Sequence, residues 1–182
     1  FFTGGRIDLL PSRLDLAWSL RNPALKERKL ASLIRKMEMD YDLILVDCAP
    51  TESMLTTAAY FTVDHVLIPV MPEYLSSIWL PLLKRSIGEF EEQNDGETVA
   101  IAGIVFNGTE GYSPEETKAK AEVKAFAKKE GIGVFSSEIK YSKSYAKGAR
   151  EGKPIFRTSY ARTTVATQFH MFAKEFAKSV GL

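Results

Sequence analysis

Short apolar runs alternate along the chain with stretches of helical periodicity, and this alternation constrains the fold more than any other feature of the sequence. Leu43–Val46 and His65–Val70 are apolar runs typical of strands buried on both faces, and Thr98–Phe106 predicts a third strand. Shorter strands are predicted at Arg6–Leu10 and Ile132–Phe135. Helical patterns separate the strands at Asn22–Met39, Glu52–Phe61, Tyr74–Gln93, Ser113–Lys129, Tyr141–Arg150 and Ala161–Val180. We therefore expect an α/β fold with a mostly parallel sheet and helices on both faces.

Composition limits the classes to which the protein can belong. The 182 residues suit a single domain spanning 1–182, and the 45% hydrophobic and 26% charged residues are ordinary for a soluble globular protein. No apolar run reaches the ~18 residues of a membrane-spanning helix, and no signal-peptide pattern is present. A single cysteine excludes an intramolecular disulfide, and with only two histidines it also argues against a Cys/His zinc cluster. These features predict a cytoplasmic protein.

The nearly neutral net charge of +1 conceals a polarity along the chain. Residues 1–60 hold eight basic and eight acidic residues, whereas residues 61–110 hold two and eight. Residues 111–182 hold fourteen basic and seven acidic residues, a net charge of +7. A charge asymmetry of this kind is informative about binding partners rather than about the fold.

The apolar run Leu43–Val46 delivers an acid, Asp47, at its carboxyl end. Nucleotide hydrolases place an acid in this way to hold Mg²⁺ or its waters beside bound phosphates. Alternatively, Asp47 caps the helix that follows. The neighbouring Cys48 is predicted to be a small buried hydrophobic residue rather than a nucleophile, because no histidine is near it in sequence.

The segment Asp47-Cys48-Ala49-Pro50-Thr51 resembles the Asp-Cys-Pro-Pro-Ser segment of the ParA/MinD-type ATPases, which carry a deviant Walker A loop. Residues 55–74 look like the family's "LLTxNAL–AADxVLIPVQPEY" stretch, and Ile7–Ser12 looks like its "LxLIPS" strand and turn. Gly152–Ile155 resembles the family's "YGKPI" segment before the final helix. The matches cover nearly the whole chain in order, and the resemblance is strongest to the ParA partition ATPases.

Two departures from the family pattern affect what the chain can do. Ala49 stands where ParA proteins usually carry the first proline, and the two-lysine phosphate loop at the family's amino terminus is absent. Gly148–Pro154 only imitates such a loop, because its spacing is one residue short and proline replaces Ser/Thr. We therefore interpret the chain as the carboxyl-side portion of a longer ATPase, and we expect no ATP hydrolysis by this portion alone.

The resemblance implies roles for several residues in the longer protein. Asp47 would orient the Mg²⁺-bound water, and Pro50 and Thr51 would begin the switch segment that senses the ATP γ-phosphate. Asn107 follows the third predicted strand, where MinD-like relatives use an asparagine to contact adenine; the alternative is that Asn107-Gly108 forms a simple turn. The family also implies an ATP-dependent homodimer and a ParB-like activating partner.

Basic residues are densest near residues 140–150. Lys140, Lys143, Lys147 and Arg150 follow helical spacing, which predicts one basic helix face. Such a face is either an ordinary solvated surface or a nonspecific DNA-binding surface, as the ParA family implies. DNA binding would make a location at the nucleoid possible.

An apolar stripe runs along the last predicted helix and contains Val165, Phe169, Phe172, Phe176 and Val180. Packing against the sheet is preferred to membrane targeting as in MinD, because the helix carries too few lysines for a strongly basic face. Two alternatives to a ParA-like ATPase remain open: a degenerate scaffold protein of the same fold, and a MinD-like positioning ATPase. The nitrogenase iron-protein branch is disfavoured, because its cluster needs two cysteines per subunit.

Overall fold

The computed structural model describes residues 5–12, 27–49, 53–158 and 163–182. These residues form two compact units, Phe1–Thr62 and Val63–Leu182. The described part of the first unit contains helix α1 (Glu27–Ile34), a 3₁₀ turn at Glu38–Asp40 and helix α2 (Met54–Tyr60). The two helices pack together through small buried residues, among them Ala31 and Ala58.

Two segments of the first unit have no regular secondary structure, although the sequence predicts strands there. Residues 5–12 and 41–49 form no strand ladder, and the side chain of Leu45 is 76% exposed. The prediction of a buried strand at Leu43–Val46 is therefore wrong for this structure. An apolar run is buried on both faces only where it belongs to a sheet whose two faces are covered, and the described residues of this unit contain no strand.

The second unit is built on a three-stranded parallel sheet. Its strands β1 (His65–Val70), β2 (Ala100–Thr109) and β3 (Ile139–Lys140) lie in the order β1-β2-β3. The β1–β2 register pairs Val70 with Phe106. The predicted strand at Ile132–Phe135 contributes only one isolated bridge, between Val134 and Ile104, and the ladder resumes at β3, which the sequence pattern does not predict.

Helices cover both faces of this sheet, as the sequence predicts. Helix α3 (Ser76–Gln93) and helix α4 (Pro114–Lys129) supply Leu80 and Val123 to a core that contains Ile104 and Phe106. Val105 lies between Ile104 and Phe106 on β2, so its side chain faces the opposite side of the sheet, where it packs with Phe135 and Phe172. Phe172 belongs to the last helix, α6 (Thr163–Ser179), so its apolar stripe packs in the core. The two-residue periodicity of the strand thus builds two separate cores.

Helix α5 (Lys143–Glu151) lies between β3 and α6 in the chain. Ser142 caps its amino end by accepting a hydrogen bond from the Ser144 N–H, and Gly152 ends it in the left-handed conformation, at φ 61°. A 3₁₀ turn at Ile155–Arg157 follows. Within the described parts of the chain, no helix has both the length and the hydropathy required to cross a membrane.

Candidate functional site

The carboxyl end of β2 carries Asn107, one of the residues singled out by the sequence. Asn107 is exposed and lies within the strand, where it pairs with Ile139 of β3. The register shifts between Asn107 and Thr109, and Gly108 has a φ of +70°. A positive φ at a shifted register is a bulge in the strand, so Asn107-Gly108 is not a simple turn that ends it. The bulge leaves an exposed amide at the sheet edge where ligands of parallel sheets bind.

A buried acidic residue organises the turn that follows β2. The Glu116 side chain is 8% exposed, and its Oε2 accepts hydrogen bonds from the backbone N–H groups of Glu110 (2.9 Å) and Gly111 (3.0 Å). Its Oε1 lies 2.7 Å from Lys120 Nζ. Burial opposes ionisation, but the hydrogen bonds from Lys120 and from the Gly111 and Glu110 amides outweigh it, so that the pKa of Glu116 falls to about 2. The carboxylate is therefore ionised at neutral pH.

Lys120 extends this network to the neighbouring strand. Its Nζ lies 2.6 Å from Glu138 Oε2 as well as 2.7 Å from Glu116, and it is 5.7 Å from the centre of the Phe106 ring. Desolvation by itself would lower the pKa of Lys120, but hydrogen bonds with Glu116 and Glu138 outweigh it, and the pKa is raised overall. The ammonium group therefore stays charged. One lysine thus connects α4 with the residue that precedes β3.

Glu116 is not among the site residues that the sequence predicts. The available signal was the spacing Ser113-x-x-Glu116, which is that of a capping box. Ser113 does cap α4, accepting a hydrogen bond from the Glu116 N–H at 3.3 Å. The Glu116 carboxylate, however, reaches past the cap to the Glu110 and Gly111 amides, and the capping-box spacing does not predict these hydrogen bonds.

The structure places Asp47 in the irregular segment 41–49 of the first unit, where it is exposed. Cys48 is also exposed, so the prediction of a buried cysteine is wrong. Partial desolvation of the thiol, followed by the charge of Asp47, raises the pKa of Cys48, and a thiol of raised pKa is a poor nucleophile. Pro50 and Thr51 lie outside the described residues.

Three of the four predicted basic residues share the surface of α5. Lys143, Lys147 and Arg150 line an open depression of about 290 Å³ together with Ala146 and Glu151. Lys140 does not lie on this helix, because α5 begins only after the Ser142 cap; it is instead an exposed residue of β3. Glu151 offsets part of the positive charge, since its carboxylate oxygens lie 3.7 Å from Lys147 Nζ and 3.9 Å from Lys153 Nζ.

A sequence model of a protein family described as an AAA domain matches residues 4–99, which is just over half of the chain. The chain belongs to this family of ParA/MinD-type P-loop ATPases. Protein MJECL24 of Methanocaldococcus jannaschii is 29% identical over 84% of this chain and 59% of its own length. The chromosome partitioning protein ParA of Myxococcus xanthus is 26% identical over 82% of this chain and 52% of its own length. The chain therefore spans little more than half the length of these relatives.

A solved structure of apo McdA from Cyanthece has the same fold. It superposes with a TM-score of 0.77 over 93% of this chain and 66% of its own, at 17% sequence identity. The likeness confirms the predicted α/β fold with a parallel sheet and helices. The family in general uses a nucleotide and Mg²⁺.

Each unit carries one residue whose chemistry suits a nucleotide or its Mg²⁺. Asp47 offers an exposed carboxylate oxygen of the kind that Mg²⁺ and its waters prefer, and Asn107 offers an exposed amide. The described residues contain no group of three or more His, Cys, Asp or Glu side chains arranged to hold a metal ion. A magnesium ion at Asp47 would therefore depend on oxygens of the nucleotide. The printed sequence contains no Gly-Lys-Ser/Thr phosphate loop to hold those phosphates.

Proposed function

We propose that the full-length protein is a ParA-like ATPase that partitions or positions a cargo, such as a plasmid or a chromosome region, by ATP-dependent binding to DNA. The observation that carries this proposal is the family match over residues 4–99, because that range includes the Asp47–Thr51 segment. The fold likeness extends the argument through the sheet that carries Asn107. We further propose that the protein forms a homodimer when it binds ATP and that a ParB-like partner activates it. It would act in the cytoplasm, at the nucleoid.

In this proposal the residues of the chain divide the work of the nucleotide site. Asp47 orients a water of the bound Mg²⁺, and the segment beginning at Pro50 and Thr51 responds to the γ-phosphate. Asn107 recognises adenine, since an amide can both donate to and accept from the edge of that base. The bound Mg²⁺ supplies charge neutralisation during phosphoryl transfer to water. The exposed position of Asp47 supports its role, because an exposed carboxylate is accessible to a bound ion and its waters.

The proposed ATPase is tested with Asp47→Asn in the full-length protein. Phosphate release in the presence of Mg²⁺ is expected to fall by about 100-fold, the usual scale for removing one charged group that acts in the transition state. Asp42→Asn is the matched control, because Asp42 is another exposed aspartate of the same segment. Equal activity of the two variants would contradict the role of Asp47. Wild-type protein without ATP binding or hydrolysis would favour a non-catalytic scaffold of the same fold.

The α5 depression supports DNA binding as the second part of the proposal. Lys143, Lys147 and Arg150 present three cations on one short helix, and cations in such an arrangement bind phosphate backbones without reading bases. The double charge reversal Lys143→Glu/Lys147→Glu is expected to weaken DNA binding equally for unrelated sequences, and to reduce the salt dependence by about two phosphate contacts. Nucleotide affinity should not change.

The control for this experiment reverses two charges elsewhere. Lys118 and Lys128 are exposed on α4, so Lys118→Glu/Lys128→Glu makes the same change in net charge on another helix. Salt-titrated binding of each full-length variant to two unrelated duplexes gives the measurement. If both double variants lost the same affinity, binding would reflect net charge alone and α5 would not be the DNA-binding surface.

A further inference from the structure

One ionic network contacts the chain around Asn107 at three places, once through backbone N–H groups and twice through side chains. The network consists of Glu116, Lys120 and Glu138, and we call it the β2 latch. The contacts of the latch are with residues close to Asn107 along β2 and across the ladder. The distances place each contact within a few residues of the exposed amide.

The first contact lies on the carboxyl side of Asn107. The N–H groups of Glu110 and Gly111 both donate to one oxygen of Glu116, at 2.9 and 3.0 Å. These residues begin the turn immediately after β2. Two charge-assisted hydrogen bonds to one buried carboxylate define the direction in which the strand leaves the sheet.

The other two contacts lie across the ladder and on the amino side. Lys120 Nζ binds Glu138, which directly precedes Ile139, the residue that pairs with Asn107. The same ammonium group lies over the ring of Phe106, the residue directly before Asn107, and Phe106 is fully buried. The network therefore touches Phe106 directly before Asn107, the amides three and four residues after it, and the residue next to its ladder partner.

Capping of α4 does not require this arrangement. Ser113 already caps the helix through the Glu116 N–H, and Glu115 accepts a further hydrogen bond from the Ser113 hydroxyl. The depressed pKa of Glu116 supports a permanently charged latch. A flexible bulge at Gly108, by contrast, would let Asn107 adopt several orientations without an external restraint, because glycine has the widest backbone freedom.

We propose that Glu116, held by Lys120, is a positioning residue that fixes the end of β2 so that the Asn107 amide meets a purine base in one orientation and selects adenine over guanine. This inference rests on the proposed function, because it assumes that Asn107 contacts the base. Adenine presents an amino donor beside a ring acceptor, whereas guanine presents a carbonyl acceptor beside a ring donor, so an amide in one orientation matches only one of the two bases. The latch restrains the backbone and does not touch the nucleotide.

The test compares ATP and GTP affinities of the full-length protein in competition with a fluorescent ATP analogue in the presence of Mg²⁺. Glu116→Gln is expected to reduce the preference for ATP over GTP by about three- to tenfold, the scale of one misaligned hydrogen bond. Glu122→Gln, on the same helix and outside the latch, should keep the wild-type preference. Asn107→Ala should lose the preference to a similar extent, and the double variant Glu116→Gln/Asn107→Ala should lose no more.

Hydrogen exchange of the Glu110 and Gly111 amides provides a readout that does not depend on the nucleotide. Their exchange should accelerate in Glu116→Gln and remain unchanged in Glu122→Gln. Should Glu116→Gln fail to fold, Glu138→Gln loosens the latch at its partly exposed end and undergoes the same measurements.

The possible results separate this proposal from the proposed function. Faster amide exchange with an unchanged ATP/GTP preference would overturn the positioning role and leave the ATPase proposal standing. Additive losses in the double variant would also overturn it, because Glu116 would then act independently of Asn107. Wild-type protein that bound neither nucleotide would refute the proposed function and the positioning role together.

Discussion

Helix α5 crosses the segment 153–158 at Gly148, and the contact leaves no room for a side chain. A Cβ placed on Gly148 would lie 2.8 Å from the Lys153 carbonyl oxygen and 2.8 Å from Thr158 Cγ2. The Gly148 carbonyl also accepts a hydrogen bond from the Lys153 N–H at 2.9 Å. Because the nearest obstacle is backbone, Gly148→Ala can be accommodated only by moving α5 away from that segment.

Two opposing effects determine how much Gly148→Ala changes the free energy of unfolding. Replacing glycine by alanine inside a helix stabilises by about 0.5–1 kcal/mol, through the lower entropy of the unfolded chain. Overpacking a close contact costs about 1–3 kcal/mol. The steric cost is the larger, so we expect a net loss of about 1–2 kcal/mol in the free energy of unfolding.

Gly88 provides the matched control, because it is also inside a helix, α3, and a Cβ there would meet nothing within 4 Å. Gly88→Ala should therefore stabilise the protein by about 0.5–1 kcal/mol. Urea unfolding of both full-length variants measures the difference, as a shift in midpoint at constant slope. A Gly148→Ala variant as stable as Gly88→Ala would show that the contact between α5 and the 153–158 segment yields easily, and would refute the steric argument.

Two further predictions concern the core and the pH dependence. Phe172 is 7% exposed and lies edge-on to Phe135, with 5.4 Å between the ring centroids. Phe172→Ala should therefore lower the free energy of unfolding in urea by about 3 kcal/mol. Phe156→Ala, which removes a 61% exposed ring, should cost less than about 0.5 kcal/mol, and equal losses would contradict the packing of the stripe. Because the pKa of Glu116 is depressed from 4.5 to about 2, its contribution is complete above pH 4.5 and is lost as the pH falls towards 2. The full linkage value is about 3 kcal/mol, and about 2 kcal/mol of it is lost between about pH 5 and pH 2.5, because that range stops above the folded pKa. Unfolding midpoints from pH 5 to 2.5 should therefore decline less in Glu116→Gln than in wild type; parallel declines would exclude a major role for Glu116.

The order and type of the elements in the second unit were predictable from local signals. The apolar run at β1, the Ser113-Pro114 start of α4 and the phenylalanine stripe of α6 all have the predicted structure. Each signal is local, because a cap, a proline at the first helical position and a one-sided stripe act within a few residues of themselves. The stripe could be assigned to the core from sequence, since three aromatic rings on one face bury a large apolar area.

Signals that depend on distant partners were predicted less well. The apolar run Leu43–Val46 has the composition of a buried strand, yet Leu43 and Leu45 are exposed in the structure. Lys140 matches the helical spacing of Lys143 and Lys147, but the Ser142 cap separates it from α5. β3 was missed because two residues carry too little periodicity, and its place is set by pairing with the bulged end of β2.

The sequence by itself determined the family, the alternation of strands and helices in the second unit, and the residue types available for nucleotide chemistry. Tertiary structure alone decided how the end of β2 is held, because the local helix pair Glu116–Lys120 meets Glu138 only where α4 passes the end of β2. An ion network of this kind forms when folding removes several charged groups from water together. Its geometry therefore depends on the packed sheet and helix rather than on any short stretch of the chain.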